Sequence, residues 1–206
     1  MKPTSVLATA ALAAWSAGVT AAPISFDFKD PKGVNNAVFL LDAPLESING
    51  TATGVSGTVL FDPAAPSAIS GRIVVDAKSL HVPNPVMKEH MHGGQWMNSE
   101  AHPEISFEAV RAANVKTDGD RVTADVTGKF TLRGVTREIP VPVTFTYLKD
   151  RLGARSNGQM QGDLLVIRSN FTIKRGDFGI NPGAPQDKVS EEIQLTLSLA
   201  GMAPRK

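Results

Sequence analysis

Cysteine is absent from this chain of 206 residues, and neither sign of charge is in excess, since 21 basic residues stand against 20 acidic ones. Without cysteine no disulfide holds the fold, so stability must come from a buried core, which a chain of this length can build. The balanced charge offers no basic field for nucleic acid or for an anionic membrane surface. We therefore expect no nucleic-acid partner.

Long apolar runs are also missing, apart from a short one near the start. Residues Met1–Ala21 contain a single Lys2, the apolar run Val6–Ala14 and then small residues before Ala22. This pattern is typical of a secretory signal peptide. The run is shorter than the roughly 20 apolar residues that a membrane-spanning helix needs. We expect residues 1–21 to be cleaved and residues 22–206 to form one exported domain without an integral membrane segment.

The rest of the chain favours strands, because β-branched and aromatic residues recur at alternate positions between 18 glycines and 14 prolines. The longest one-sided apolar series runs from Val122 to Leu132, and Asp118-Gly119-Asp120 before it indicates a hairpin. Pro140 and Pro142 share one face of the next strand, which indicates a sheet edge or a locally unpaired rim. We also predict one long strand over Ile69–His81.

Seven or eight such strands predict an all-β domain, either a sandwich or a closed barrel, and their length favours the barrel. An eight-stranded barrel can be filled by side chains or can hold one small ligand. An outer-membrane barrel needs aromatic girdles, whereas aromatic residues make up 6% of this chain and Tyr147 is its sole tyrosine. Residues Lys149–Gln161 are predicted to form a polar loop, and Val189–Leu199 the last strand.

The segment Met87–Phe107 is the most unusual connection, because it holds three of the four histidines. His90, His92 and His102 suggest a metal site, but the first two point the same way only if the chain there is extended, and their spacing follows no zinc pattern. Its methionines and Trp96 fit two interpretations, a plain core or the lid of an apolar pocket.

Catalytic motifs are lacking. The chain has no cysteine nucleophile, no Gly-x-Ser-x-Gly and no Gly-x-Gly-x-x-Gly after a strand. Asp177-Phe178-Gly179 is interpreted as a turn. Arg175 before it is interpreted either as part of a surface salt bridge or as a donor to a carbonyl or phosphate oxygen at a barrel rim. We expect neither enzymatic activity nor a cofactor.

Four pieces of the sequence, in this order and spacing, resemble the YceI-like family. They are Lys88-Glu89-His90-Met91 with Trp96, then His102–Phe107, then Val126–Arg137, and last Ile173–Gly179. Agreement runs from about Gly54 to Leu199. The resemblance implies a lipocalin-like, eight-stranded antiparallel barrel with an elongated apolar interior, located in the bacterial periplasm. It also implies a carrier or store of long isoprenoid lipids such as quinones, without a catalytic residue set.

On this interpretation, interior and lid side chains contact the lipid. The predicted apolar contacts are Val75, Met91, Trp96, Phe107, Val126, Phe130, Phe145, Phe171, Phe178 and Leu195. Polar groups at the mouth, His90, His92 and Arg175, are predicted to orient the head group.

Two alternatives stay open: an exported metal-binding module that uses His90, His92 and His102, and a solidly packed barrel that works through a protein partner. The expected partner is an isoprenoid lipid or quinone, and a homodimer is left open.

Overall fold

The computed structural model describes residues 22–30 and 32–205. The predicted signal peptide, residues 1–21, lies outside the described residues, and its cleavage stays a prediction. Within the described part the chain forms ten strands and two short α-helices. The strands are β1 Ile24–Asp27, β2 Asn36–Asp42, β3 Ser47–Ala52, β4 Val55–Phe61, β5 Ser70–Asp76, β6 Glu104–Asp118, β7 Arg121–Leu132, β8 Val135–Leu148, β9 Gly162–Lys174 and β10 Glu192–Pro204. The helices are α1 Pro85–His92 and α2 Leu152–Arg155, and three 3₁₀ turns lie at Pro66–Ala68, Ala77–Ser79 and Gly176–Phe178.

Eight of these strands close into an antiparallel barrel in the order β1-β4-β5-β6-β7-β8-β9-β10, with β10 pairing back to β1. The closure is short, since β1 meets β10 only at Asp27 and Met202. The other half of β10, Gln194–Ser198, pairs with β2 instead, and β3 extends that hairpin to a bridge between Thr51 and His81. The prediction of an all-β, eight-stranded antiparallel barrel is confirmed, with the β2–β3 hairpin as an addition to its wall.

The predicted strand over Ile69–His81 is wrong in its second half. Strand β5 ends at Asp76, whose side chain accepts a hydrogen bond from the backbone N–H of Lys78 and so starts the turn Ala77–Ser79. Turning the chain there sends residues 77–103 across one end of the barrel. We call these residues the cap.

The cap contains α1, which the alternation of apolar residues does not predict. The Asn84 side chain accepts a hydrogen bond from the N–H of Met87, Pro85 occupies the first turn, and the helix ends before Gly93. No residue of α1 is fully buried, and its half-buried apolar residues are Met87 and Met91, which are four residues apart on one face. The polar loop Lys149–Gln161 likewise includes α2, and the last strand begins at Glu192 rather than at Val189.

Strand β8 is paired unequally on its two sides. Its ladder with β7 runs the whole way from Arg121–Thr146 to Leu132–Val135, whereas its ladder with β9 stops at Val143–Ser169. Beyond that pair, Val135–Pro142 of β8 faces Asn170–Lys174 of β9 without register pairs. We call this part of the wall the seam. The prediction of a locally unpaired rim at Pro140 and Pro142 is confirmed.

The barrel end away from the cap is densely packed. Phe26 and Phe28 are fully buried, and the ring of Phe61 stacks on that of Phe145 with centroids 5.7 Å apart. Buried Asn35 joins this end together, since its side-chain amide donates to the carbonyls of Phe28 and Ala200. Among the described residues, no helix is long and apolar enough to cross a membrane.

Candidate ligand-binding cavity

An apolar cavity of about 220 Å³ lies inside the barrel. On β10 its lining residues alternate from Ile193 to Leu199, which at about 3.3 Å per residue gives a length of roughly 20 Å. The polar residues that line it are Ser70, Ser106, Ser169 and Arg175. The cavity contradicts the hypothesis of a solidly packed barrel.

The volume sets a scale for what the empty cavity accommodates. An apolar cavity of about 150 Å³ binds benzene, so this one takes on the order of nine carbon atoms, about two isoprene units. A longer chain requires side chains to move. Met91 and Met97 line the cavity, and methionine is the apolar side chain that adapts most readily in shape.

The structure brings most of the predicted contact residues together around this cavity. Those that line it are Val75, Met91, Trp96, Phe107, Val126, Phe130, Phe145, Phe171, Leu195 and Arg175. Their contact with a ligand stays a prediction. Met91, Trp96 and Met97 of the cap lie over one end of the cavity, which is the arrangement expected of a lid.

Three predicted residues, Phe178, His90 and His92, do not line the cavity. Phe178 is buried but does not line the cavity; its ring packs edge-to-face against that of Phe130, with ring centroids 5.5 Å apart. His90 is exposed on α1 and also lies outside the lining.

Sequence reasoning missed the lining contributed by the β2–β3 hairpin. Ala37, Phe39 and Leu41 of β2 point into the cavity, and so does Ala52 of β3. The signal is present as alternation of 37, 39 and 41, but Val38 and Leu40 between them are also apolar and hide it. Because β1 meets β10 only at one register pair, β2 pairs with the other half of β10, and the hairpin thereby forms part of the barrel wall.

The histidines do not form the extended pair that the metal hypothesis requires. His90 and His92 are two residues apart on a helix, so their side chains point about 200° apart around its axis. Both ring nitrogens of His92 are already engaged, Nε2 with the Leu80 carbonyl at 3.0 Å and Nδ1 with the Ser99 hydroxyl at 2.9 Å. Since a carbonyl only accepts, the neutral ring carries its proton on Nε2. Within residues 22–30 and 32–205, no group of three or more His, Cys, Asp or Glu side chains is placed to hold a metal ion.

Arg175 is a fully buried cation at the cap end of the cavity. Its Nη1 donates to the carbonyls of Ile180 and Asn181, and its Nε donates to that of Ser190. Nη2 lies 3.4 Å from a carboxylate oxygen of Glu191 but makes no hydrogen bond of good geometry. Nη2 is therefore the one guanidinium nitrogen of Arg175 without a hydrogen-bond partner among the described residues.

The same guanidinium supports the lid, since it lies 5.9 Å from the centre of the Trp96 ring, within the range of a cation–π interaction. Two further bonds fasten the cap. Arg133 donates through Nη2 to the Gly94 carbonyl at 2.8 Å, and the backbone N–H of Asn181 donates to the Gln95 carbonyl at 3.0 Å. The cap is thus tied to the β7–β8 turn and to the loop that follows β9.

The ionisable groups with shifted pKa values lie far from the lid, at the opposite end. Burial, followed by a hydrogen bond to Asp163, raises the pKa of Tyr147 to about 12. Burial alone would raise the pKa of Asp163, but bonds from the Asp150 N–H, the Tyr147 hydroxyl and Arg205 lower it overall. These groups stabilise the opposite end and take no part in the cavity.

A closed eight-stranded antiparallel barrel around an apolar cavity defines a protein of the lipocalin-like fold class. Residues 32–200 match the family model described as the YceI-like domain, so the chain belongs to the YceI-like family, as the sequence motifs predict. A UPF0312 protein of Pseudomonas paraeruginosa is 30% identical over 153 residues, which are 74% of this chain and 73% of that protein. Protein YceI of Salmonella arizonae is 28% identical over 153 residues, with the same coverage of 74% and 73%.

Solved structures share the fold at lower identity. BcnA of Burkholderia cenocepacia superposes with a TM-score of 0.64 at 21% identity, covering 81% of this chain and 95% of that one. A polyisoprenoid binding domain from Saccharophagus degradans, implicated in plant cell wall breakdown, gives a TM-score of 0.62 at 13% identity and covers 88% of this chain and 99% of that one.

Proposed function

We propose that this protein is a non-enzymatic carrier or store that holds an isoprenoid lipid, of quinone or polyprenyl type, inside its barrel. The observation that carries the proposal is the elongated apolar cavity with one buried cation at its cap end. Membership of the YceI-like family and the fold shared with a polyisoprenoid binding domain support it.

The apolar lining supplies the affinity. Each Å² of apolar surface that leaves water contributes about 25 cal/mol, and a hydrocarbon tail along the roughly 20 Å of the cavity exchanges water for side chains over its whole length. Because the lining offers almost no hydrogen-bond partners, it distinguishes ligands by length and shape rather than by functional groups.

Arg175 supplies the orientation. We expect a ligand oxygen to accept a hydrogen bond from Nη2, with the tail running away from the cap toward Ile69 at the far side of the lining. The carboxylate of Glu191, 3.4 Å from the same nitrogen, offsets the positive charge. A neutral carbonyl or hydroxyl oxygen therefore fits this position better than a phosphate does.

The leader-like residues 1–21 support export to the periplasm as part of this proposal. In that compartment a carrier would shield a lipid tail from water between two membranes. Fractionation of expressing cells, with N-terminal sequencing of the protein recovered, tests both export and cleavage after residue 21.

Ligand binding itself is tested by native mass spectrometry with lipid extraction, and by titration with a ubiquinone that carries two isoprene units. Leu197→Trp fills the middle of the cavity, and Thr196→Trp adds the same bulk one residue away on the outer face of β10. We expect at least tenfold weaker binding in the first variant and unchanged binding in the second. A wild-type protein with no bound lipid and no quinone uptake contradicts the proposal.

A further inference from the structure

A groove of about 630 Å³ lies on the outside of the barrel, across β6, β7, β8 and β9. Val143 and Ser169 line this outer groove, and both also line the inner cavity. The wall between the two spaces is therefore one pair of residues thick. That pair is also the last register pair of the ladder between β8 and β9.

The reason the ladder stops there is in the sequence of β8. The Ser169 hydroxyl donates to the Pro142 carbonyl at 2.6 Å, which shows that this carbonyl faces β9. In an extended strand the N–H and C=O of one residue point to the same side, so the imide nitrogens of Pro142 and, two residues earlier, Pro140 also face β9. Proline has no N–H to donate. The carbonyls of β9 opposite them receive no donor from β8.

The cap end of the seam is closed by side chains instead of backbone pairs. The turn Gly176–Phe178, which we call the strap, follows β9 directly. Arg137 of β8 donates through Nε and Nη2 to the carbonyl of Asp177 in the strap, and Phe178 packs against Phe130. The strap thus spans the distance that the missing ladder leaves open.

We compare the seam and the cap as routes into the cavity, since they differ in the bonds that opening must break. Opening the cap breaks the bonds of Arg133 to Gly94 and of Asn181 to Gln95, and at its root the paired backbone of Thr51 and His81. Opening the seam separates no register pair of the ladder, and it breaks the Ser169 hydroxyl bond and the contacts of the strap.

We propose that the lipid enters and leaves the barrel sideways, through the seam between β8 and β9, with the outer groove as its vestibule and the strap as its door. The inference rests on the proposed function, since it concerns the route of the same ligand. A tail that enters sideways meets the cavity at its middle, at Val143 and Ser169, and is then enclosed when the strands come together.

Cysteine staples test the route directly, because the chain has no cysteine of its own. Pro142→Cys/Asn170→Cys places two outward residues opposite each other one position beyond the last register pair. Thr131→Cys/Thr136→Cys is the matched control across the fully paired ladder of β7 and β8, and neither residue lines the outer groove or the cavity. Gln95→Cys/Asn181→Cys staples the cap, the rival route.

The measurement is stopped-flow quenching of Trp96 fluorescence by the ubiquinone with two isoprene units, with phosphatidylcholine vesicles as acceptor for release. A Trp96→Phe variant of the full chain gives the background of Trp15. Thiol assays show that each disulfide has formed, and dithiothreitol reopens it. We expect the oxidised seam staple to slow uptake and release at least tenfold, both restored by dithiothreitol, with neither effect in the other two pairs.

Two proline replacements test the cause without a cross-link. Pro140→Thr/Pro142→Thr supplies two N–H donors toward β9, so the ladder can extend and both rates should fall at least fivefold while the Kd changes less than twofold. Arg137→Gln releases the strap and should raise both rates, whereas Arg111→Gln, an exposed arginine paired with Glu138 on the same wall, should leave them unchanged.

Failure of the lateral route and failure of the proposed function give different results in these experiments. Wild-type rates in the closed seam staple, or slowing by the cap staple alone, overturn the lateral route while ligand binding stands. Absence of saturable quenching and of bound lipid in the wild type overturns the proposed function, and the route with it. If the seam disulfide does not close, the rates of the double threonine and Arg137→Gln variants decide the matter.

Discussion

The two ends of the barrel are built from the same strands but differ in how their interiors are packed. At the opposite end Phe26, Phe28 and Phe61 are buried in the interior, and the side-chain amide of Asn35 donates to the carbonyls of Phe28 and Ala200 beside them. At the cap end the interior is left open, and a buried charge, Arg175, stands beside it. Close packing stabilises a fold, whereas an open apolar interior forgoes that packing. The difference indicates that the opposite end contributes more to the stability of the fold than the open cap end does.

The largest expected difference between the two ends is the loss of stability when an aromatic ring is removed from each. Phe28 is fully buried and its ring lies against Gly201, where an added Cβ would come within 2.5 Å of it. We expect Phe28→Ala to lower the free energy of unfolding by about 3–5 kcal/mol. Phe107→Ala at the cavity should cost clearly less, because Phe107 is half-buried and already faces open space. Urea denaturation followed by circular dichroism measures both.

Ligand binding should respond in the opposite order. Phe107→Ala should weaken quinone binding, while the folded fraction of Phe28→Ala should bind as the wild type does. Equal losses of stability in the two variants would mean that the cavity wall is packed as firmly as the opposite end, and the division of labour would then be wrong.

Arg175 is a second difference between the two ends, because its buried charge lines the cavity, whereas Asp163 and Arg205 at the opposite end take no part in it. Removing one partner of a buried ion pair destabilises a protein by about 3–5 kcal/mol. Glu191 is 28% exposed and can be solvated, so we expect Arg175→Met to cost about 2–3 kcal/mol. Arg175→Met/Glu191→Gln should recover part of that stability but not the preference for a quinone over a hydrocarbon of equal length. Thermal unfolding and competitive titration check the two parts separately.

The barrel itself could be predicted from the sequence because most strands have one apolar and one polar face. Alternation of apolar and polar residues alone identifies the inward residues of β7 and β10. Val126, Phe130 and Leu195 are among them, and all three line the cavity. Alternation shows which face of a strand points inward, but it does not show whether the interior contains a cavity. Whether inward side chains fill the interior depends on barrel dimensions, which no local pattern contains.

The elements that sequence reasoning missed are those in which apolar and polar residues do not alternate as in a strand with one buried face. Strand β2 is apolar on both faces, and α1 buries no residue fully. Phe178 lies in a 3₁₀ turn, where alternation does not fix the direction of a side chain, and it packs in the wall instead of the cavity. His90 was expected at the mouth, and the helix places it in solvent.

Acid should affect the opposite end before the cap end. The pKa of Asp163 is lowered in the folded protein from its usual 3.8, so its contribution to stability is present above that pH and is lost as the pH falls through the lowered value. Asp30 shares the direction of this shift. We expect the free energy of unfolding to fall below about pH 4, and to fall less steeply in Asp163→Asn.

Equilibrium denaturation from pH 3 to pH 6 measures this slope. Arg175→Met provides the comparison at the cap end and should keep the wild-type slope, because its stability loss does not involve Asp163. An Asp163→Asn protein with the full wild-type slope would assign the acid sensitivity to other carboxylates.

The smallest effect concerns two histidines within the cap. His92 ties α1 to Leu80 and Ser99 through both ring nitrogens, whereas His90 is exposed. A typical hydrogen bond contributes about 1 kcal/mol net, so His92→Ala should lower the free energy of unfolding by about 1–2 kcal/mol and His90→Ala should leave it within about 0.5 kcal/mol. Zinc titration by calorimetry should give the same weak response in the wild type and in His90→Ala, since the helix turns the two imidazoles away from each other. A site that is lost in both variants would return the cap to a metal-binding role, and the lid would then act on an ion as well as on a lipid.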